Sequence, residues 1–134
     1  QLCVLRSQPN LPAPAGPAHS HRALSLGSGE EEQVALRACA EAFFSKAVIV
    51  GEGRTEVGLV RGMDTYWLSM QWKGFQDRGV FVTDGGGGTE YFKRAEVFSR
   101  LGYKTALLKD SDILGDAHQQ QTLRCRQSGV EVFE

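Results

Sequence analysis

Five carboxylates lie just beyond short apolar runs of this chain: Glu52 and Glu56 after Ala47-Val48-Ile49-Val50, Asp84 after Val80-Phe81-Val82-Thr83, and Asp110 and Asp112 after Thr105-Ala106-Leu107-Leu108. Carboxylate oxygens suit hard divalent cations, and Mg2+ in particular keeps several waters while taking only one or two protein carboxylates. A cation held this way polarises a phosphoryl oxygen and lowers the pKa of a bound water. Two cations about 3.5–4 Å apart would clamp both the attacking and the leaving oxygen. Phosphodiester cleavage is the natural reaction for such a site. Without metal, so many like charges would repel one another and at least one would have its pKa raised. Taken singly, each motif also has a plainer reading. Glu56 can merely favour a helix N-terminus with Glu52 solvated, and Asp110-Ser111-Asp112 can be a solvated loop or the cap of the next helix.

The elements that must position these acids follow from the apolar pattern. Residues 47–50 read as a buried strand broken by Gly51 and Gly53, with Thr55 as the N-cap of a helix that carries Val60, Met63 and Trp67 on one face. Gly58 and Gly62 weaken this helix but permit close packing on a sheet. Residues 71–78 are polar and read as a loop, and residues 79–84 as a second strand that runs into Gly85-Gly86-Gly87-Gly88. Four glycines in a row let backbone approach a ligand or neighbour closely, or adopt positive φ. Tyr91, Phe92, Ala95, Phe98 and Leu101 recur at helical spacing, and Gly102 stops that helix. A strand at 105–108, a helix at 117–127 and a strand at 130–133 complete the series. Alternating strands and helices predict an α/β fold with a parallel, doubly wound sheet. Right-handed crossovers then bring the C-terminal ends of all strands to one edge, where ligands bind. Glu52, Asp84, Asp110 and Asp112 are all expected on that edge.

The 134 residues are enough for one domain with a core of its own. Residues 1–29 are rich in Pro, Ala, Ser and Gly and are expected to be a flexible segment. Residues 30–46 are expected to be a leading helix, acidic at its start and striped by Val34, Leu36, Ala38, Cys39, Ala42 and Phe43. Residues 47–134 form the expected domain, truncated at its C-terminus. The absent initiator Met and the abrupt end at Glu134 suggest a fragment of a longer protein. Cys3, Cys39 and Cys125 are far apart and form no C-x-x-C pair, which argues against structural zinc, and Cys39 reads as a small buried hydrophobe. His19 and His21 lie in a Pro/Ala/Ser-rich stretch and are a weak metal signal. The formal net charge of −1 argues against nucleic-acid binding by bulk electrostatics alone, although an acidic metal cluster would mask a basic face. Between Glu90 and Lys109 five cations (Lys93, Arg94, Arg100, Lys104, Lys109) face two acids (Glu90, Glu96), a local balance of +3 that allows either a modest basic face or a solvated helix surface. No apolar run approaches a bilayer span and the first residues make a poor signal peptide, so a cytoplasmic location is expected.

The acids, the glycine run and their order carry a resemblance. V-I-V-G-E-G-R-T-E at 48–56, D-G-G-G-G at 84–88, L-G-Y-K at 101–104 and L-L-K-D-S-D at 107–112 resemble the Toprim nuclease domain of the OLD (overcoming lysogenisation defect) family of ATP-dependent endonucleases. The resemblance implies a Toprim-like, Rossmann-like fold with a mainly parallel four-stranded sheet flanked by helices. It implies a metal-dependent DNA endonuclease in which Glu52, Asp110 and Asp112 are catalytic and bind Mg2+ or Mn2+, with Glu56 helping to hold a second ion. Asp84, Gly85, Gly86 and Gly87 would shape the edge near the phosphodiester. Members carry an ABC-type ATPase domain ahead of this one. Because this chain has no G-x-x-x-x-G-K-[ST], ATP would act only through that domain of a parent protein. DNA is the expected partner, a homodimer is left open, and no membrane partner is expected. Two readings from other classes stand beside this one. One is a nucleotide-binding or regulatory α/β domain whose glycine turn cradles a phosphate. The other is a degenerate module that serves only assembly.

Overall fold

The computed structural model describes residues 3–7, 21–25, 29–111 and 115–134. Two short strands, β1 (Cys3–Ser7) and β2 (His21–Ser25), pair antiparallel as a separate ribbon in a region where the sequence suggested no element. The main sheet is built around β3 (Ala47–Gly51), whose β-branched Val48 and Val50 are fully buried. It pairs in parallel with β4 (Val80–Asp84) on one side and β5 (Lys104–Leu108) on the other, and β5 pairs with β6 (Glu131–Phe133), giving the order β4-β3-β5-β6. All four strands are parallel, as the alternating pattern predicts. Gly51 lies in register with both Asp84 and Leu108, so the residues that follow these strands emerge at one edge.

Strand order decides how the helices are shared between the two faces. The step from β3 to β4 runs one way across the sheet and the steps to β5 and β6 run the other. Right-handed crossovers therefore set α2 (Arg54–Ser69) on one face, and α3 (Glu90–Arg100) and α4 (Asp116–Gln127) on the other. Packing agrees: α3 meets α4 and also α1 (Glu30–Ala38), whereas α2 packs on β3 and β4. The core lies on the α1/α3/α4 side, where Tyr91, Phe92, Val97, Phe98, Leu107 and Cys125 are fully buried with Val48 and Val50. Each such large side chain contributes about 1.5–3 kcal/mol by leaving water.

The leading helix is shorter than expected and ends at Ala38. Cys39 departs from helical geometry (φ −150°, ψ 55°), and a 3-10 turn, Ala40–Phe44, follows. The break turns Phe43 towards Phe98 and Tyr103, with ring centroids 5.6 and 6.1 Å away, and Tyr103 Oη donates to the Phe43 carbonyl at 2.9 Å. Ala35, Cys39 and Ala42 are the buried positions here, while Val34 and Ala38 face solvent, a correction to the expected stripe. Two further expectations fail on α2. The side facing the sheet is Val57, Val60, Asp64 and Trp67, so Met63 falls on an outward stripe with Leu59, Tyr66 and Met70. Gly58 and Gly62 are also exposed, with nothing within 4 Å of where a Cβ would stand, so they do not serve close packing. Helix α3 ends as expected: Gly102 has φ +79° and donates to Ser99 O, and Tyr103 N–H reaches back to Phe98 O.

Candidate metal centre

Glu52 is the residue at which three segments meet. Its N–H extends the ladder by donating to Leu108 O at 2.8 Å, and its carbonyl accepts from Gly87 N–H at 3.2 Å. Its side chain reaches across the end of β5, where Oε2 accepts from Asp110 N–H at 3.1 Å. Glu52 and Asp110, 58 residues apart in sequence, are thus brought together at the carboxyl edge of the sheet. Glu52 is half-buried and Asp110 exposed, so one carboxylate is anchored and the other stands open to solvent.

The remaining acids are placed differently. Glu56 lies in the first turn of α2, where Oε2 accepts from Gly53 N–H at 2.8 Å, the half of a capping box that a glycine N-cap allows. Gly53 therefore caps the helix, and the expected N-cap, Thr55, is inside it. The physical reason is that a glutamate three residues on satisfies the backbone N–H that frees Gly53 to act as cap. Asp84 stands at the same sheet edge as Glu52, in register with Gly51, and its Oδ1 accepts from Gly86 N–H at 2.7 Å. Asp112 lies outside the described residues. Among the described residues no group of three or more His, Cys, Asp or Glu side chains converges on a common point. The bond between them runs from the Asp110 backbone amide to the Glu52 carboxylate, and both side chains offer only oxygen donors, the kind a hard cation such as Mg2+ takes.

The glycine run braces this edge. Gly85 N–H donates to Gly51 O at 2.7 Å, Gly86 N–H to Asp84, and Gly87 N–H to Glu52 O. Gly86, Gly87 and Gly88 take φ values of +91°, +72° and +56°, the left-handed region open to glycine. At Gly85 the constraint is space: a Cβ there would collide with Tyr91 Cβ and lie 2.6 Å from Gly51 O. Three amides of the run are thus spent on protein oxygens rather than turned outwards to cradle a phosphate.

Two residues that the sequence presented only as part of a helical stripe or a charge count stand behind the acids. Lys109, at the end of β5, is buried; its Nζ donates to Asp110 O at 3.2 Å and pairs with Glu134 at 3.4 Å, which Arg126 also approaches at 3.6 Å. Tyr91, in the first turn of α3, is 0% exposed, and its hydroxyl has no hydrogen-bond partner among the described residues. Burial, and then the charges of Glu52 and Cys125, push the phenol up to about 12. Burial, and then Glu96, push the Cys125 thiol up to about 12 as well. The signal for Tyr91 was a tyrosine where phenylalanine would pack equally well, since a buried hydroxyl normally has a partner.

The five cations of the local +3 balance do not gather into one face. Lys93 pairs with Glu90 at 2.8 Å, Arg100 pairs with Glu32, and Arg94 donates to the Asp84 carbonyl. Lys104 opens β5 and Lys109 follows its last residue, at opposite edges of the sheet.

Comparison with known families settles the class. The family described as overcoming lysogenization defect protein-like, TOPRIM domain, matches residues 43–112, just over half of the chain. The chain belongs to the OLD-like Toprim family. The matched span runs from Phe43 to Asp112 and so contains Glu52, Glu56, Asp84, the glycine run and both acids of D-x-D. The all-parallel sheet flanked by helices is the Toprim-like α/β fold. Toprim domains are typically nucleic-acid-processing modules and generally bind Mg2+. No curated protein and no solved structure matches the chain. Among the described residues no helix is long and apolar enough to cross a membrane.

Proposed function

We propose that this OLD-like Toprim domain is the metal-dependent DNA endonuclease module of a larger ATP-dependent nuclease, hydrolysing phosphodiester bonds. The observation that carries the reading is the meeting of Glu52 and Asp110 through the 3.1 Å hydrogen bond at the carboxyl edge of the sheet. Glu52, Asp110 and Asp112 would hold Mg2+ or Mn2+, with Glu56 turning its second oxygen to another ion. When bound, the cation supplies Lewis acidity at the phosphoryl oxygen and a more acidic water. The chain's own residues orient the acids. The Asp110 amide fixes the Glu52 carboxylate, Gly87 and Leu108 fix the Glu52 backbone, and Asp84 with the glycine run shapes the rim on which a phosphodiester would lie. ATP would enter only through an ABC-type ATPase domain of the parent protein.

A nucleotide-binding role is less well supported, because the Gly85, Gly86 and Gly87 amides already donate within the protein. Calorimetric titration separates the readings. Divalent-cation binding that is abolished by Asp110→Ala supports the nuclease, whereas nucleotide binding without metal, unaffected by that change, would replace it. In the parent protein, Glu52→Ala should abolish metal-dependent nicking of plasmid DNA with the fold retained. Undiminished nicking would remove Glu52 from the mechanism.

A further inference from the structure

Beside the candidate metal centre, the carboxyl ends of β5 and β6 and one face of α4 enclose a polar cleft of about 320 Å3, whose walls include Lys109, Ser111, His118, Gln119, Arg126 and Glu134. Lys109 N–H donates to Phe133 O at 3.1 Å, so Lys109 and Glu134 leave neighbouring strands at the edge that carries Asp110. Glu134 Oε1 lies 3.4 Å from Lys109 Nζ and 3.6 Å from Arg126 Nη2, one carboxylate between two cations. Both distances exceed the about 2.7–2.9 Å of a charge-assisted hydrogen bond, and the Glu134 and Arg126 side chains are 40% and 50% exposed. The carboxylate is thus loosely held. Lys109 is buried, and a buried ammonium needs an anion beside it. The His118 ring is steadied edge-on against Phe92 at 5.9 Å, and Ser111 and Gln119 add neutral donors to the walls.

We propose that this cleft is a phosphate-binding subsite for a nucleic-acid strand, in which a phosphodiester flanking the one at the metal centre takes the place of the Glu134 carboxylate between Lys109 and Arg126. A phosphodiester and a carboxylate each carry one negative charge, so Lys109 stays paired through the exchange while Glu134 swings out to solvent. The planar guanidinium of Arg126 matches two phosphate oxygens at once. Lys109 and Arg126 against Glu134 leave one positive charge in the cleft even with the carboxylate in place. Because Lys109 and Asp110 are consecutive, a strand held here passes the acids of the candidate metal centre. Nucleic acid as the source of the phosphate rests on the nuclease reading given above, whereas the anion site rests on the cleft alone.

The test is binding of a fluorescein-labelled single-stranded oligonucleotide to the full chain, followed by anisotropy in EDTA over a range of salt. It compares the wild type with Arg126→Gln, Glu134→Gln and Glu131→Gln, the last an equal charge change at the far end of β6. Mn2+ affinity is measured separately for these and for Asp110→Ala. Arg126→Gln should lower oligonucleotide affinity about tenfold and reduce the slope of log affinity on log salt by about 0.7, the value for one phosphate contact on a single strand. Glu134→Gln should raise affinity severalfold and Glu131→Gln should not, a gain that misfolding cannot mimic. All three should bind Mn2+ as the wild type does. Unchanged affinity and slope in Arg126→Gln, or a Glu134→Gln gain no larger than that of Glu131→Gln, would overturn the proposal. Inorganic phosphate that displaces the oligonucleotide at an equal concentration of phosphate groups would assign the cleft to the free ion and overturn it as well. Mn2+ binding that Asp110→Ala does not weaken would overturn the metal reading alone, with the Arg126 and Glu134 effects still deciding the subsite.

Discussion

Among single residues, Glu52 and Asp84 show how similar side chains at one sheet edge take different work. The Glu52 carboxylate is held by an amide from another strand's end, whereas that of Asp84 closes a local turn on Gly86. Replacing Asp84 by alanine removes one hydrogen bond, worth about 0.5–1.5 kcal/mol, from a turn whose other amides remain tied to Gly51 and Glu52. Asp84→Ala should therefore lower nicking by the parent protein severalfold and leave it measurable, in contrast to the complete loss expected for Glu52→Ala. Equal loss in the two variants would place Asp84 among the metal ligands. The positions of Glu52, Asp84 and Asp110 on one edge were legible from their place after apolar runs. The role of Glu56 in capping α2 was open in the sequence, because a first-turn glutamate serves a helix or an ion equally well.

Helix α2 and the glycine turn show where periodicity informs and where it misleads. The sequence put Val60, Met63 and Trp67 on one side, but the face of a helix is fixed by what it packs on, and Met63 points away from the sheet. Gly58 and Gly62 stand on open surface of the same helix. Gly58→Ala and Gly62→Ala should each stabilise the protein by about 0.5–1 kcal/mol through helix propensity, read from denaturant unfolding at unchanged slope. Gly85→Ala should do the reverse and destabilise by several times that amount, since the added methyl meets the α3 backbone at Tyr91 and the Gly51 carbonyl. Similar losses at all three positions would contradict the placement of α2.

For the molecule as a whole, the uneven division of helices is the governing feature. One face of the sheet carries α1, α3 and α4 and holds the aromatic core, and among the described helices the other carries α2, whose outward stripe of Leu59, Met63, Tyr66 and Met70 is exposed. Three titratable groups, Cys39, Cys125 and Tyr91, are sealed into the core side and hold their protons more tightly when folded, and Cys125 and Tyr91 are shifted furthest. Cys125 rises from its ordinary 9.0 to about 12 through burial and then Glu96. Tyr91 rises from 10.0 to about 12 through burial and then Glu52 and Cys125. Above pH 9 the unfolded chain therefore loses protons that the native state keeps, so unfolding becomes easier as pH rises. The contribution of these groups is complete below about pH 9 and disappears as pH climbs through about 12. The thermal midpoint should accordingly be level from pH 7 and fall steadily across that window, and Cys125→Ala should flatten the fall. A profile unchanged by that substitution would place the alkaline loss elsewhere.

The sequence by itself determined the alternation of strands and helices, the parallel sheet, and the arrival of Glu52, Asp84 and Asp110 on one edge. These depend on local apolar runs, on glycine punctuation and on the fixed hand of crossover connections. Tertiary structure alone decided which face each helix buries, that the leading helix breaks at Cys39 to carry Phe43 into the aromatic core, that Arg94, Arg100 and Lys109 are spent on separate partners, and that the Tyr91 hydroxyl lies buried. Each of these is settled by contacts between residues distant in the chain. A pattern with a period of two or 3.6 residues says that a side chain will be buried, but only the packed neighbour determines against what.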